Sequence, residues 1–353
     1  MFTPRFTITN KILRNIGEME AAKEVIENAP LVPYYEKQFK SEAIARTIHH
    51  GTHIEGNDLS LEQTREVLEG KEVVAHERDV REVINYRNVM KLLDELSAKR
   101  GGYDKGMLLD IHKETVTGIV NKDKVGVFRK TQVVIKDEGS GEIILRPPPF
   151  VEVPYLIDDF FEWLNAKEAK EVHPIIRAGS AHYVLVTIHP FVEGNGRCVR
   201  AFANLILMRE NYDIKRLFSL EEHFDNDLAA YYEAFAKVDK LSKNIAARDL
   251  TVWMEYFTKV VAVELTKVKD RVRKISIDTK LRGKIGEQVA LTERQMKLIE
   301  YLSEVGSAPM QDLRGVLSMV SEDTILRDLN TLMSKGIVKK EGKTKASRYI
   351  IGK

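Results

Sequence analysis

Apolar residues return at three- and four-residue spacings along most of the chain. The clearest run is Glu77 to Ala98, where Val80, Val83, Ile84, Met90, Leu93 and Leu96 mark one helical face. Gly101 and Gly102 close that helix. Upstream, Ser60 followed by Gln63 forms the capping box of a short helix that stops at Gly70. These signals predict a wholly helical N-terminal region, residues 1–118. The texture changes between Val125 and Leu145, where VGVFRKTQVVIK and EIIL are rich in β-branched residues and flank the turn-forming DEGSG. A β-hairpin is predicted there. Pro147, Pro148 and Pro149 follow as a stiff spacer, and Tyr155, Ile157, Phe160, Phe161 and Leu164 predict another amphipathic helix. Helical patterning then persists to about Lys274.

Residues 266–288 carry eight Lys or Arg against three Asp or Glu, with few large apolar groups in the second half. This composition marks a linker, placed at 276–290. From Leu291 onward, three short helical patterns, Gly336, and the runs IVKKEG and KTKASRYII outline a winged helix-turn-helix at residues 291–353. Ser321 caps its recognition helix, and Ile325, Leu329 and Leu332 form the buried stripe. The predicted fold class is mainly α, with a β-hairpin and a small C-terminal winged helix domain. A length of 353 residues accommodates two domains and leaves room for a third.

Composition narrows the function classes. With 43% hydrophobic and 31% charged residues, the chain is neither intrinsically disordered nor fibrous. Fifty-five Lys plus Arg against 53 Asp plus Glu leave a net charge of +2, so no global field draws the protein onto nucleic acid or an anionic membrane. No run approaches the ~18 apolar residues of a membrane span, and MFTPRFTITN lacks the apolar region of a signal peptide. A cytoplasmic protein without membrane contact is expected. The single Cys198 excludes an internal disulfide and a multi-Cys zinc site, and His49, His50 and His53 do not have zinc-ligand spacing.

The stretch richest in chemistry is HPFVEGNGRCVR, residues 189–200, which links two apolar-periodic helices. His189 precedes a proline and so stands at a helix end. Gly194 and Gly196 flank Asn195 and allow left-handed backbone, turning successive N–H groups inward at a helix N-terminus. Such a nest binds phosphate. Arg197 and Arg200 share one face of the new helix, and Glu193 stands where a magnesium ion shared with substrate phosphates would sit. With His189 as a base beside them, these groups suit attack of a deprotonated hydroxyl on a nucleotide phosphorus.

The string resembles the signature of the Fic family, HxFx(D/E)GNGRxxR, at every specified position; chance alone would produce it in a chain of this length with a probability on the order of 10⁻⁸. The resemblance implies a helical domain, residues 119–275, that transfers AMP from ATP to a Ser, Thr or Tyr hydroxyl. It implies His189 as the base, Glu193 as the Mg²⁺ ligand, and Gly194, Asn195 and Gly196 on the α- and β-phosphates. Arg197 would take the β-phosphate and Arg200 the γ-phosphate, with Phe191 anchored in the core. The hairpin, roughly Gly126 to Leu145, would be the flap on which a target protein docks by strand addition. Tyr231 and Tyr232 resemble the pair that lines the adenine pocket, although Asp239 stands where many relatives have asparagine. HIEGN at 53–57 resembles the inhibitory motif (S/T)xxxE(G/N), so Glu55 would pair with Arg200 and deny it to ATP. The Ser/Thr position of that motif is Gly51 here, with Thr52 one residue later.

Two other readings remain open at this stage. One is a transcriptional regulator that senses a nucleotide through the helical domain, and the other is an enzyme that removes AMP with Glu55 orienting water. In the C-terminal module, Lys335 to Lys353 hold seven Lys or Arg and one Glu, which points to a wing touching the phosphates of duplex DNA. Glu322 and Asp323 on the first turn of the recognition helix oppose it, and protein contact or homodimer formation is the competing use.

Overall fold

The computed structural model describes residues 2–28, 33–136, 143–212, 217–242, 244–283, 291–318, 320–342 and 347–352. Two compact units divide the chain, with the boundary between Arg271 and Val272.

The first unit begins with five helices, α1 (Asn10–Glu27), α2 (Pro33–His53), α3 (Leu61–Leu68), α4 (Glu77–Ala98) and α5 (Lys105–Val116). The α4 bounds are those the periodicity predicts. Ser60 and Gln63 close both halves of the capping box on α3, and Gly70 takes φ +81° just beyond it. After the hairpin come α6 (Val153–Asn165), α7 (Lys167–Glu171), α8 (Pro174–Ile188), α9 (Asn195–Arg209), α10 (Leu220–Asn226), α11 (Leu228–Asp239) and α12 (Thr251–Gly283), the last of which belongs to this unit as far as Arg271.

Helix α8 is the axis of this unit. All of its residues except Pro174 and Val186 are buried, as a helix apolar on every side requires. α9 packs along it, with α4 and α5 against α9 and α6 against α8. On another side, Trp253 of α12 donates its indole N–H to the Gly179 carbonyl at 2.7 Å. A Cβ at Gly179 would lie 2.9 Å from the Phe257 ring and 3.1 Å from the Met254 sulfur, so the glycine sets how closely α12 approaches. No helix among the described residues is long and apolar enough to cross a membrane.

Three expectations about elements change. Only Ile135–Lys136 (β1) and Ile143–Leu145 (β2) pair as antiparallel strands, and the turn between them lies outside the described residues. Residues 125–134 are not strand; the Arg129 N–H, for one, bonds to Pro190 O at 2.9 Å beyond the end of α8 and not to a ladder partner. Tyr155, expected on the buried face of α6, is 75% exposed, whereas Ile157, Phe160, Phe161 and Leu164 are buried. The linker placed at 276–290 begins inside α12, which continues to Gly283; residues 284–290 lie outside the described set.

The second unit carries α13 (Glu293–Val305), β3 (Ser307–Pro309), α14 (Met310–Val316), α15 (Glu322–Ser334), β4 (Val338–Glu341) and β5 (Arg348–Ile351). Its antiparallel sheet runs β3-β5-β4. Leu298, Leu302, Leu313, Ile325, Leu329, Leu332 and Tyr349 form its core. Ser321 caps α15 as expected, accepting from the Thr324 N–H. Strand β3 was not expected from sequence.

Candidate active site

The chemistry-bearing string occupies the loop between α8 and α9. At its first residue α8 ends in left-handed backbone, with His189 at φ +50° and ψ +62°. The His189 Nδ1 faces the Val186 carbonyl at 3.4 Å, and a carbonyl only accepts, so Nδ1 carries the proton and Nε2 keeps its lone pair. Burial, with a smaller push from Arg129, lowers the imidazole pKa to about 4 against the opposing pull of the Val186 carbonyl and Glu55. His189 is therefore neutral at physiological pH, the state a base needs.

The loop closes on itself. Asn195 accepts the Phe191 N–H on Oδ1 at 2.9 Å and donates Nδ2 to the Phe191 carbonyl at 3.0 Å. Its amide is thus committed to the loop backbone. Phe191 is fully buried and stacks on His112 with ring centroids 3.7 Å apart. Gly194 is the left-handed N-cap of α9 at φ +76°, and a Cβ there would lie 2.6 Å from Val116 Cγ1. Gly196 does not share that conformation; it is a helical residue whose missing Cβ leaves the space taken by the Glu55 carboxylate and the Arg200 guanidinium. The N–H groups of the first α9 turn have no carbonyl one turn back and form an anion-binding end.

The two arginines are both occupied. Arg197 is fully buried, with Nη1 3.1 Å from Glu82 Oε1 and Nη2 3.2 Å from Glu193 Oε1. Arg200, also buried, donates Nη2 to Glu55 Oε1 and to the Gly51 carbonyl, each at 2.8 Å. Burial would raise the Glu55 carboxyl, but Arg200, Arg197 and His189 together hold it below its ordinary range. The Glu55–Arg200 pair expected from HIEGN is thus present.

Gly51 in place of Ser/Thr has a steric reason. A Cβ at residue 51 would sit 2.5 Å from Cε1 of buried Tyr86. Thr52 does not substitute, since its hydroxyl donates to the Ile48 and His49 carbonyls. Asn57 ties the same turn down by donating to Glu82 Oε2 and the Asp79 carbonyl, each at 3.1 Å.

The aromatic pair divides. Tyr231 is buried, 2.8 Å from His182 through its hydroxyl and within reach of Arg200, so it supports the arginine from the core. Tyr232 is 48% exposed. Asp239 is bound to Tyr183 and Arg248. Cys198 is buried, with its thiol pushed up by burial, and is a packing residue. His50 and His53 both reach Asp225, at 2.7 and 2.9 Å, and no metal-holding group of side chains occurs among the described residues.

Glu193 is half-exposed, and its contacts with Arg197, Arg78 and the Gly194 N–H all fall on Oε1. One carboxylate with a second oxygen outside these contacts suits a cation that substrate phosphates also bind.

Residues 103–207 match the model of the Fic/DOC family. The segment contains the α8–α9 loop and every residue of the HPFVEGNGRCVR string. It is a Fic domain. A Fic family protein from Desulfovibrio desulfuricans G20 superposes with a TM-score of 0.65 at 25% identity, over 99% of this chain and 98% of that one. Fic-1 (residues 134–508) from C. elegans gives 0.59 at 25% identity over 76% and 74%. The protein adenylyltransferase Fic of Drosophila grimshawi is 35% identical over 212 residues, 58% of this chain and 41% of that protein. That of Culex quinquefasciatus is 37% identical over 183 residues, 50% and 34%. The chain thus spans about two fifths of these curated relatives or less.

The Fic match begins at Tyr103 and so includes α5, which lies before the boundary at residue 119 expected from sequence. Sequence reasoning missed four residues that shape the site. His112 on α5 donates Nε2–H to the Glu193 carbonyl at 3.1 Å and accepts the Gly126 N–H on Nδ1 at 3.1 Å. Glu82 and Asn57 hold Arg197 and the turn that carries Glu55. Arg129 holds the end of α8. Each was a polar residue without a local pattern, and only the fold shows its partner.

Proposed function

We propose that this protein is an adenylyltransferase that moves AMP from ATP to a Ser, Thr or Tyr hydroxyl of a protein, its own chain included, and that Glu55 restrains it. The observation that carries the proposal is a neutral His189, with its Nε2 lone pair free, at the entrance to the α9 N-terminus. In the reaction the target hydroxyl gives its proton to His189 Nε2 while its oxygen bonds to the α-phosphorus. The bond from that phosphorus to the β-phosphate bridging oxygen breaks, and pyrophosphate leaves. The first-turn N–H groups of α9 hold phosphate oxygens, and Arg200 takes the γ-phosphate once Glu55 withdraws. Bound Mg²⁺ would neutralise charge on the phosphates, with Glu193 as its protein ligand and Arg197 fixing that carboxylate. The flap hairpin receives the target backbone.

A nucleotide sensor needs the phosphate site but gains nothing from a neutral, oriented imidazole, and this favours the enzyme. In the C-terminal unit we read a winged helix with Lys339 and Lys340 exposed on β4 as a contact for duplex DNA. Arg314 lies 3.1 Å from Glu322 and offsets one of the two carboxylates that oppose it. Mobility shifts that weaken steeply with salt would bear this out.

The test of the main proposal is incubation with ATP, GTP, UTP or CTP followed by intact mass. One AMP increment from ATP alone is expected, absent in His189→Ala. An increment that persists in His189→Ala removes the base assignment, and loss of AMP from a premodified chain identifies the reverse activity.

A further inference from the structure

Arg129 is a cation buried to 3% exposure, and all the partners it shows among the described residues are backbone carbonyls. Nε donates to His189 O at 2.8 Å, Nη2 to Pro148 O at 2.6 Å and Ile188 O at 3.4 Å, and Nη1 to Thr131 O at 3.2 Å. Its backbone N–H adds a bond to Pro190 O at 2.9 Å. Burying a charge among neutral carbonyls is costly, and burial accordingly lowers the Arg129 pKa. A fold that retains such a group uses it.

The acceptors say what for. The carbonyls of Ile188, His189 and Pro190 are at the C-terminal end of α8, where no further N–H of the helix reaches them and the helix dipole favours a cation. Thr131 and Pro148 lie on the two legs of the flap hairpin, just outside β1 and β2. One planar guanidinium therefore binds both legs of the flap and the backbone of the base. His189 is a non-glycine residue at φ +50°, a conformation that persists only where its surroundings over-determine it.

Building on the adenylyltransferase reading, we propose that Arg129 is the positioning residue of His189: it fixes the left-handed backbone that aims the imidazole, and joins that backbone to the hairpin so that a docked target and the base share one rigid frame. Arg129 touches neither nucleotide nor target in this role. The charged groups acting on the imidazole are Glu55 from the turn after α2, which raises its pKa, and Arg129, which lowers it.

The test uses the full chain carrying Glu55→Gly as parent, with Arg129→Gln and Arg129→Lys added singly. Self-modification is read by intact mass, ATP affinity by calorimetry, and the His189 ring by NMR titration, its signals assigned by their loss in His189→Gln. Arg129→Gln should lower kcat about 10- to 100-fold, the scale of a small misplacement at a reacting group, while ATP affinity changes less than about threefold. The His189 ring signals should shift as its backbone relaxes, with only a small rise in its pKa, since burial is the main cause that holds it low and Arg129 the least. Arg129→Lys, which keeps the charge but loses the fork of donors, should fall between parent and Gln; if Arg129→Gln does not fold, Lys carries the comparison alone. A folded Arg129→Gln that keeps the parent kcat overturns the proposal, even where its thermal stability falls. A parent that transfers nothing instead refutes the adenylyltransferase reading, and the His189 ring signals, which Arg129→Gln should shift if Arg129 fixes that backbone, then decide its role.

Discussion

Arg200 offers a single nitrogen to two acceptors, the Glu55 carboxylate and the Gly51 carbonyl, both at 2.8 Å. A buried charge-assisted pair of this kind contributes about 1.5 to 3 kcal/mol. Removing the carboxylate in Glu55→Gly should raise self-modification roughly 10- to 100-fold. The Gly51 bond survives that change, which puts the gain near the lower figure. Initial rates by intact mass measure it, and an unchanged or lower rate ends the inhibitory assignment. His189 and the Glu55–Arg200 pair were legible in the sequence because a contiguous loop and a short motif carry them. Asn57, Glu82, His112 and Arg129 were not. The partners through which they shape the site lie 14 to 115 residues away, so no local spacing marks them, and each reads in sequence as an ordinary surface polar residue.

Helix α2 delivers Glu55, and polar contacts hold it to α10. Arg46 meets Glu222 at 2.7 Å, and His50 and His53 close on Asp225. Burial would raise the Asp225 carboxyl, but its bonds to the two histidines hold it low. Asp225→Ala should therefore loosen the last turn of α2 and raise basal transfer by a few-fold, about the effect of one partly exposed charged contact. In a Glu55→Gly background the same change should add almost nothing, because the proposed restraint is already gone. Equal gains in both backgrounds would separate α2 anchoring from inhibition. Among elements, α4 was legible to the residue because a long apolar period meets a glycine pair. The hairpin was read too long, since β-branched composition cannot show that Arg129 leaves the ladder. Strand β3 is only Ser-Ala-Pro and is strand because β5 pairs with it.

For the molecule as a whole, acid is the revealing variable. Burial lowers His112 and His189 to about 4 and His182 to about 3. The unfolded chain takes up these protons near pH 6.5 and the folded one only at the depressed values. Stability is thus full above about 6.5 and falls as pH drops toward 4, on the order of a few kcal/mol for each buried imidazole. Glu55 and Glu264, held low by their partners, lose stability in the same direction as pH falls, while Glu221, raised by burial, works against it. Thermal melts at pH 7.5, 6.0 and 5.0 should show a steady fall in Tm, shallower in His182→Asn. A Tm that holds level to pH 5 would contradict the buried-neutral assignment.

The crowding of Gly51 by Tyr86 also bears on how the brake proposed at Glu55 can be altered by substitution. Serine at 51 collides with the Tyr86 ring, so the motif cannot be restored to its commoner form in one substitution. Gly51→Ser alone should displace the turn bearing Glu55 and raise transfer. Tyr86→Ala opens a cavity beneath α2, at about 3 to 5 kcal/mol by analogy with other large-to-small core changes. In the double variant, the serine has room and the brake should tighten again, a non-additivity that a double-mutant cycle of transfer rates would expose. A small side chain at position 86 is therefore the condition on which residue 51 can carry a Cβ without moving the turn that bears Glu55.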